Sequence, residues 1–309
     1  MNILVTGSRG FIGTNIINIL KNDFVFWEMD IFEKQENNYF TWNEIEKFPW
    51  DKIDVVIHLA GKAHDTKKES DAQSYFDINT ELTKKIFDKF LVSNATQFIF
   101  FSSVKAVADK VETDFLSENV VPKPVGPYGN SKLQAEQYIQ GQNWNEKKVY
   151  IFRPCMIHGP GNKGNFNLLY KVVNKGIPYP LGAFDNRRSF LNIWNLAFII
   201  KQFIEKKPES GIYNLADDKP ISTNQLIQLI ATSTHRKAKI WKINKSFIFL
   251  IAKIGTFLRL PFNSERLQKL TENYVVSNMK LKLSIDVKDL PIKVEDGFLL
   301  TLKKLVVSG

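Results

Sequence analysis

Three polar side chains are spaced as a proton-transfer site requires. Tyr128 and Lys132 are four residues apart, and Ser103 precedes Tyr128 by 25 residues. Residues i and i+4 of a helix share a face, so the Lys132 ammonium can lie near the Tyr128 phenol. A phenol has a reference pKa of about 10, and a nearby positive charge favours its ionised form. We therefore predict that Tyr128 transfers protons with the help of Lys132, while Ser103 hydrogen-bonds the same substrate oxygen.

A glycine-rich turn stands near the start of the chain, in the sequence Gly7-Ser-Arg-Gly-Phe-Ile-Gly13. It follows a short apolar run and opens an apolar-periodic segment, which is the strand–turn–helix context of a dinucleotide site. We expect Gly7 to permit the tight turn, Gly10 to let the backbone approach a pyrophosphate, and Gly13 to allow close helix–strand packing. The amides at the N-terminus of the helix would then face the phosphates.

Asp30 ends the second predicted strand, 17 residues past Gly13. An acidic side chain at this place accepts hydrogen bonds from the adenosine ribose hydroxyls and repels a 2′-phosphate. Arg9, inside the glycine turn, could instead bind a 2′-phosphate. Weighing the two residues, we favour NAD over NADP as the cofactor.

The glycine turn, Ser103 and the segment Tyr128-Gly-Asn-Ser-Lys132 together resemble the short-chain dehydrogenase/reductase superfamily. The Gly-x-x-Gly-x-x-Gly spacing is similar to that of its extended branch, the NAD-dependent nucleotide-sugar epimerases and dehydratases, which includes UDP-glucose 4-epimerase-like enzymes. The Ser-Ser-Val-Lys stretch that ends at Lys105 looks like a bacterial polysaccharide-synthesis branch containing 4-epimerases and 4-keto-sugar reductases. The resemblance covers nearly the whole chain and is strongest in the first two-thirds.

The resemblance implies which residues line the two ligands. Asn79 matches an asparagine that steadies the site. The residues expected at the cofactor are Gly7, Arg9, Gly10, Phe11, Ile12, Gly13, Asp30, Leu59, Ala60, Gly61, Asn79, Ser102, Tyr128, Lys132 and Pro154. Those expected at a UDP-sugar substrate are Lys105, Asn165, Arg187 and Arg188, since an arginine pair suits a diphosphate.

The residues after Ser103 narrow the reaction that the resemblance implies. In 4,6-dehydratases an Asp-Glu pair follows the serine or threonine, whereas this chain has Val104 and Lys105, so we do not expect dehydration. A 4-epimerase and an NAD(P)H-dependent 4-ketoreductase would use Ser103, Tyr128 and Lys132 equally, and we favour the epimerase slightly. A catalytically silent dinucleotide sensor is a third alternative, but such proteins usually lose the tyrosine or the lysine.

The elements that must position these side chains alternate along the chain. Apolar runs predict strands at residues 3–5, 24–29, 54–59, 97–101 and 149–152, with helices at 11–20, 71–92 and 128–140. This order favours an α/β fold, a Rossmann-type doubly wound parallel sheet with ligands outside the carboxyl ends of its strands. Two later runs, at 189–193 and 211–215, are predicted to return to the sheet.

The second half of the chain differs from the first in pattern and charge. We predict an NAD-binding domain at 1–160, with returning segments within 188–216, and a smaller, mostly helical substrate-binding region at 161–187 and 217–309. Residues 1–150 hold 17 Lys/Arg against 21 Asp/Glu, and the remainder hold 25 against 11. The basic half suits an anionic ligand such as a sugar diphosphate. We expect neither nucleic acid, since no binding motif accompanies the charge, nor a metal, since His58 and His64 lack clustered carboxylates or thiols.

Cysteine content and hydropathy point to a soluble, cytoplasmic protein. Cys155 is the single cysteine, and the N-terminus does not resemble a signal peptide. The amphipathic stretch 247–258 has lysine neighbours and could dock on a membrane, but such a helix more often covers a core or a subunit interface, which is what we expect here. The resemblance implies a homodimer formed through the helices near 71–92 and 128–140.

Overall fold

A seven-stranded parallel sheet forms the centre of the protein, in the order β3-β2-β1-β4-β5-β6-β9. The computed structural model describes residues 1–32, 38–63, 72–162 and 165–307. The sheet confirms the predicted Rossmann-type α/β fold. The strands are β1 (Asn2–Thr6), β2 (Val25–Asp30), β3 (Tyr39–Thr41), β4 (Val55–His58), β5 (Gln97–Phe101), β6 (Lys148–Pro154), β7 (Met156–His158), β8 (Phe190–Asn192) and β9 (Gly211–Leu215).

Helices flank both faces of the sheet and make up most of the C-terminal third. They are α1 (Phe11–Leu20), α2 (Ala72–Phe76), α3 (Leu82–Val92), α4 (Gly126–Gln140), α5 (Asn165–Asn174), α6 (Ile193–Lys206), α7 (Thr223–Ser233), α8 (Lys245–Phe257), α9 (Ser264–Thr271), α10 (Met279–Ser284) and α11 (Val294–Val307). Asp71 and His64 lie outside the described residues, so the start of the predicted 71–92 helix is described only from Ala72.

Alternate residues of the central strands supply the two cores. Leu4, Val56 and Phe98 face the layer that holds α3 and α4. Ile3, Ile57 and their neighbours on the other face pack with α1 and α6. Because both faces are covered, these strands are apolar throughout rather than alternating, which is typical of a buried parallel sheet.

One of the two late strands does not join the sheet as predicted. β9 lies beside β6, but β8 pairs with β7 in a separate two-stranded parallel sheet. β9 occupies the place next to β6, and β8 instead pairs with β7, which continues the chain past Pro154. β3 is a further difference, since no prediction placed a strand there.

A π-helical turn, Asp77–Glu81, interrupts the long helix between α2 and α3. It contains Asn79, which is fully buried. The Asn79 side chain donates to Ser131 Oγ on α4 (2.9 Å) and to the Lys62 carbonyl (3.0 Å), and its Oδ1 accepts from the Lys62 amide (2.8 Å). A π turn within an α-helix often marks a functional site, and this one fixes the spacing between α4 and the loop that follows β4.

A buried ion pair joins α4 to the sheet. Glu136 on α4 and Arg153 on β6 are 0% and 2% exposed, and Arg153 Nε donates to both carboxylate oxygens, at 3.0 and 3.2 Å. Ser102, just past β5, also donates to Glu136 Oε1. Each of these groups therefore has its charge or polarity satisfied inside the core, as burial of a charge requires.

The helix α8 covers a core with only one narrow side. Ile248 and Ala252 are buried against Leu181 and Leu267, and Gly255 is buried beside the Phe262 backbone, while the opposite side of the helix is exposed. The prediction that the stretch 247–258 covers a core therefore holds for a minority of its apolar residues. Within the described ranges, no helix is long and apolar enough to cross a membrane.

Replacing Glu136 with Gln should lower the free energy of unfolding by about 3–5 kcal/mol, because Arg153 would remain buried without its counter-charge. Glu81→Gln is the matched control, since Glu81 pairs with Lys84 at the surface, where an ion pair contributes at most about 1 kcal/mol. The measurement is urea-induced unfolding followed by circular dichroism. Equal midpoints for the two variants would contradict a stabilising role for the buried pair.

Candidate functional site

The glycine turn lies at the carboxyl end of β1, against the loop that follows β4. Gly7 has φ of +69°, and a Cβ there would come within 2.8 Å of the Ala60 backbone. A Cβ at Gly13 would lie 2.6 Å from the carbonyl oxygens of Gly7 and Ser8. Both positions therefore admit only glycine, as the sequence pattern predicts.

The N-terminus of α1 has the chemistry of an anion site. Gly10 is its N-cap and supplies no side-chain cap, and the first turn contains no acidic residue. Phe11 and Ile12, both partly buried, form that first turn. Exposed amides and the positive end of the helix dipole suit a pyrophosphate, so the turn fits the dinucleotide that we predict there.

Asp30 lies beside this turn, at the end of β2. Its Oδ2 accepts from the Arg9 amide at 2.9 Å and its Oδ1 accepts from the Ile31 amide at 2.7 Å. The Arg9 guanidinium instead extends over the Phe32 ring, 5.7 Å from its centroid. The carboxylate is thus fixed next to the turn, where its charge opposes a 2′-phosphate, and the preference for NAD stays our prediction.

Ser103 and Tyr128 come together at the carboxyl end of β5. Ser103 caps the short 3-10 helix Val104–Ala106, and its hydroxyl is hydrogen-bonded to the Tyr128 phenol. Pro127 near the start of α4 favours helix initiation there, which places Tyr128 in the first turn. Burial raises the pKa of Tyr128 above its usual value of 10, and the hydrogen bond from Ser103 opposes that rise. The phenol is therefore protonated in the protein alone and needs nearby positive charge to act as a base.

Lys132 supplies positive charge one turn further along α4. It is 4% exposed, and its ammonium donates to the Phe101 carbonyl at 2.8 Å. Burial lowers its pKa to about 8, with the Glu136 carboxylate opposing this shift. A Cβ on Gly61 would lie 2.9 Å from both Lys132 Nζ and Asn79 Oδ1. The ends of β4 and β5, the π turn and α4 therefore meet around this ammonium, which is still largely charged at neutral pH.

The remaining residues predicted at the cofactor border the same edge of the sheet. The Leu59 amide donates to the Thr6 carbonyl at 3.1 Å, which places Leu59 and Ala60 beside the glycine turn. Ser102 and Pro154 lie at the ends of β5 and β6, both buried. The structure thus brings the predicted cofactor residues to one edge, and their individual roles remain predictions.

The residues predicted at the substrate are less uniform. Lys105 pairs with Asp109 at 3.0 Å and lies over the Tyr274 ring, 4.7 Å from its centroid. Arg187 is exposed, whereas Arg188 donates to the Lys269 carbonyl and lies 3.9 Å from Glu272. Asn165 begins α5, and its side chain and Gly164 lie outside the described part of the structure. The two arginines therefore do not act as one pair: only Arg187 projects into solvent.

Arg187 borders an open groove whose other walls come from two separate segments. The groove is lined by Val111, Thr113, Asp114, Phe115, Arg187, Asn273 and Val275. Tyr274 connects it to the Ser103 loop, because its amide donates to the Arg187 carbonyl (2.8 Å) and its hydroxyl to the Ala108 carbonyl (2.7 Å). This bridge places the groove on the side of the sheet that holds Ser103.

Two residues that matter to the site escaped the sequence analysis. Tyr274 comes from a segment with no motif, and only the fold brings it to the Ser103 loop. Glu136 could have been found, because it stands four residues after Lys132 and so shares a helix face with it. Its position also gives Arg153 on β6 a buried counter-charge.

The buried histidines do not contribute a metal site. The two ring nitrogens of His58 lie 2.6 Å from Thr6 Oγ1 and 2.9 Å from Thr83 Oγ1, and burial lowers the pKa of His58 to about 3. His58 is therefore a buried core histidine with both ring nitrogens hydrogen-bonded. His158 stacks on Phe298 with centroids 3.9 Å apart. No group of three potential metal ligands occurs among the residues described.

Comparison with known proteins supplies the family. Residues 3–216 match the sequence profile described as the NAD dependent epimerase/dehydratase family. The chain is 32% identical to UDP-glucose 4-epimerase of Vibrio cholerae over 74% of this chain and 75% of that protein. It is 28% identical to N-acetyl-alpha-D-glucosaminyl-diphospho-ditrans,octacis-undecaprenol 4-epimerase of Escherichia coli O157:H7, over 76% and 73%.

A solved structure supports the fold along the whole chain. UDP-N-acetylglucosamine 4-epimerase from Bacillus cereus superimposes with a TM-score of 0.77, covering 100% of both chains at 18% identity. At that identity the likeness concerns the fold alone.

Replacing Tyr128 with Phe should reduce turnover by at least roughly 100-fold while leaving NAD affinity unchanged, because only the ionisable hydroxyl is lost. Tyr75→Phe is the matched control, since its ring lies 6.4 Å from that of Tyr128 and the same atom is removed. Steady-state kinetics and NAD titration by calorimetry give the two quantities. Turnover near that of the unmodified protein would remove Tyr128 from the mechanism.

Proposed function

The chain belongs to the NAD dependent epimerase/dehydratase family, and we propose that it interconverts the C4 epimers of a UDP-hexose or UDP-N-acetylhexosamine. The observation that carries this proposal is the meeting of Ser103, Tyr128 and Lys132 at the sheet edge that also holds the glycine turn. Both of the relatives from Vibrio cholerae and Escherichia coli are 4-epimerases by name, which supports C4 as the reacting carbon.

The proton steps can be derived from these residues. Tyr128 would take the proton of the sugar's 4-hydroxyl and later return it to the same oxygen. Ser103 would donate a hydrogen bond to that oxygen and stabilise the charge that develops on it. Lys132, held by the Phe101 carbonyl, would favour the phenolate form of Tyr128 by its charge.

The proposed cofactor fits the residues present. The turn at Gly7 and Gly13 and the uncapped N-terminus of α1 would hold the pyrophosphate, and Asp30 the adenosine ribose. NAD held there would supply a reversible hydride acceptor for C4 of the sugar. Gly61 leaves room beside Lys132 and Asn79, where a larger residue would fill the space next to the ammonium.

The loop after Ser103 argues against dehydration. Val104 is buried, and the Lys105 ammonium is held by the Asp109 side chain and carbonyl. Elimination of water requires a general acid and base near C5 and C6, and neither Val104 nor Lys105 in this arrangement supplies a carboxylate. The reactions that remain are those in which a hydride is removed from C4 or added to it.

Stoichiometry separates the epimerase from its closest alternative. We expect a UDP-hexose or UDP-N-acetylhexosamine to equilibrate with its C4 epimer without added cofactor, because an epimerase returns the hydride that it removes. The measurement is sugar-nucleotide NMR on a panel that includes a UDP-4-keto-6-deoxy sugar, with and without NAD(P)H. If only the keto sugar reacts, in proportion to added NAD(P)H, the enzyme is a 4-ketoreductase. No change in any sugar would favour the silent sensor.

The two arginines give a second test of the substrate side. Arg187→Ala should weaken UDP binding by roughly tenfold, as expected for one lost charge-assisted contact to a phosphate. Arg188→Ala serves as the matched control, because Arg188 is held by Lys269 and Glu272 and its loss should lower the melting temperature more than the UDP affinity. Calorimetric titration with UDP measures the affinity, and a thermal melt measures the melting temperature. Equal UDP affinity in the Arg187 variant and the unmodified protein would reduce this side chain to surface charge.

A further inference from the structure

The outward side of α8 is apolar where a surface helix is normally polar. Phe247, Leu250, Ile254 and Phe257 follow one another at helical spacing, and Leu258 extends the row past the end of the helix. Their exposed fractions are 54%, 55%, 49%, 87% and 56%. Since the opposite side of α8 already packs on Leu181 and Leu267, the helix is apolar on both sides. A helix of that kind normally has a partner on each side.

The segment that carries the apolar row is strongly basic. The segment 236–263 contains seven basic residues and not one aspartate or glutamate. All seven side chains are exposed: Arg236, Lys237, Lys239, Lys242, Lys245, Lys253 and Arg259. Trp241 is also 56% exposed. An apolar row with lysines at its flanks and a tryptophan beside it is the pattern of a helix that lies in the plane of a lipid interface.

We propose that α8 docks this protein on an anionic lipid bilayer, with its apolar row inserted at the headgroup level and the basic residues of 236–263 bound to the lipid headgroups. The apolar row and the basic residues of 236–263 together form the α8 face. The charge complementarity is what selects the occupant, since anionic lipids attract clustered Lys and Arg. α8 comprises Lys245–Phe257, 13 residues, which suits an in-plane orientation rather than a span.

A second copy of the chain fits this surface less well. A two-fold dimer places the same patch on both subunits, so the basic rims would meet each other. The centres of protein–protein interfaces are also depleted in lysine. The α8 face is distinct from the helices through which the family resemblance implies a dimer, since α8 packs on α9 and the segment near Phe184 rather than on α3 or α4.

Docking through α8 would orient the substrate region toward the bilayer. The Trp241 carbonyl accepts from the Gly182 amide at 3.0 Å, and Lys245 lies over the Phe184 ring, 5.5 Å from its centroid. The chain then continues from Phe184 to Arg187 and Arg188. The membrane surface and the groove beside Arg187 would therefore be connected by a short, well-packed segment.

The test compares binding to two kinds of vesicle. The unmodified protein should co-sediment with vesicles of phosphatidylcholine and phosphatidylglycerol, and much less with phosphatidylcholine alone, with binding that falls as salt rises. The double variant Ile254→Glu, Phe257→Glu should lose at least roughly tenfold in vesicle affinity. The variant Lys242→Gln, Lys253→Gln should lose mainly the preference for the anionic vesicles.

A matched control separates the α8 face from general surface hydrophobicity. Met279→Glu, Leu283→Glu removes two exposed apolar residues of α10, 66% and 75% exposed, and changes the charge by the same amount. It should bind vesicles as the unmodified protein does, and all variants should keep their melting temperature. Failure of the unmodified protein to bind anionic vesicles would overturn the proposal. Equal vesicle binding by the Ile254→Glu, Phe257→Glu variant would also overturn it. So would a dimer of the unmodified protein, seen by analytical ultracentrifugation, that dissociates in this variant.

Discussion

The buried ion pair between Glu136 and Arg153 is the interaction on which the site depends. It lies beneath the sheet edge where Ser102, Ser103 and Lys132 meet, and it joins α4 to β6 within the buried interior. Two opposite charges in the interior attract strongly but are costly to desolvate, so the pair favours the one arrangement that satisfies every oxygen and guanidinium hydrogen. That arrangement also sets the height and rotation of α4, and therefore the positions of Lys132 and Tyr128, which lie one and two turns earlier.

The same carboxylate links structure to electrostatics. Lys132 is buried, which by itself disfavours its charged form, and Glu136 on the same helix face compensates part of that effect. The Lys132 ammonium remains largely charged at neutral pH one helical turn from Tyr128, whose own pKa is raised by burial. Core packing and the acid–base properties of the site are thus consequences of one set of contacts rather than two separate features.

Much of the fold and the catalytic edge could be predicted because local patterns determine them. The strands that carry the site read as short apolar runs, and Gly7 and Gly13 stand where a Cβ would collide with backbone. The pairing of β8 with β7 could not be predicted, since a run as short as 189–193 does not show which strand it will pair with. The divergence of Arg187 and Arg188 was equally hidden, because it depends on Glu272 and Lys269 from a distant helix. The sequence of α8 resembles that of a core helix, and only the tertiary structure shows that one side of the helix is uncovered.

The π turn at Asp77–Glu81 bears on how this helix tolerates insertions and deletions. A π turn holds about one residue more per turn than an α-helix, so the segment is equivalent to a single-residue insertion retained inside a helix. Deleting any one residue of 77–81 would let the helix become regular with α2 and α3 near their present orientation, but would change the directions in which the side chains of the turn point. Asn79 could then no longer reach both Ser131 and Lys62 while α3 kept its packing. Homologous chains of different length should therefore vary in the loops on either side of this helix and keep the number of residues in the turn itself.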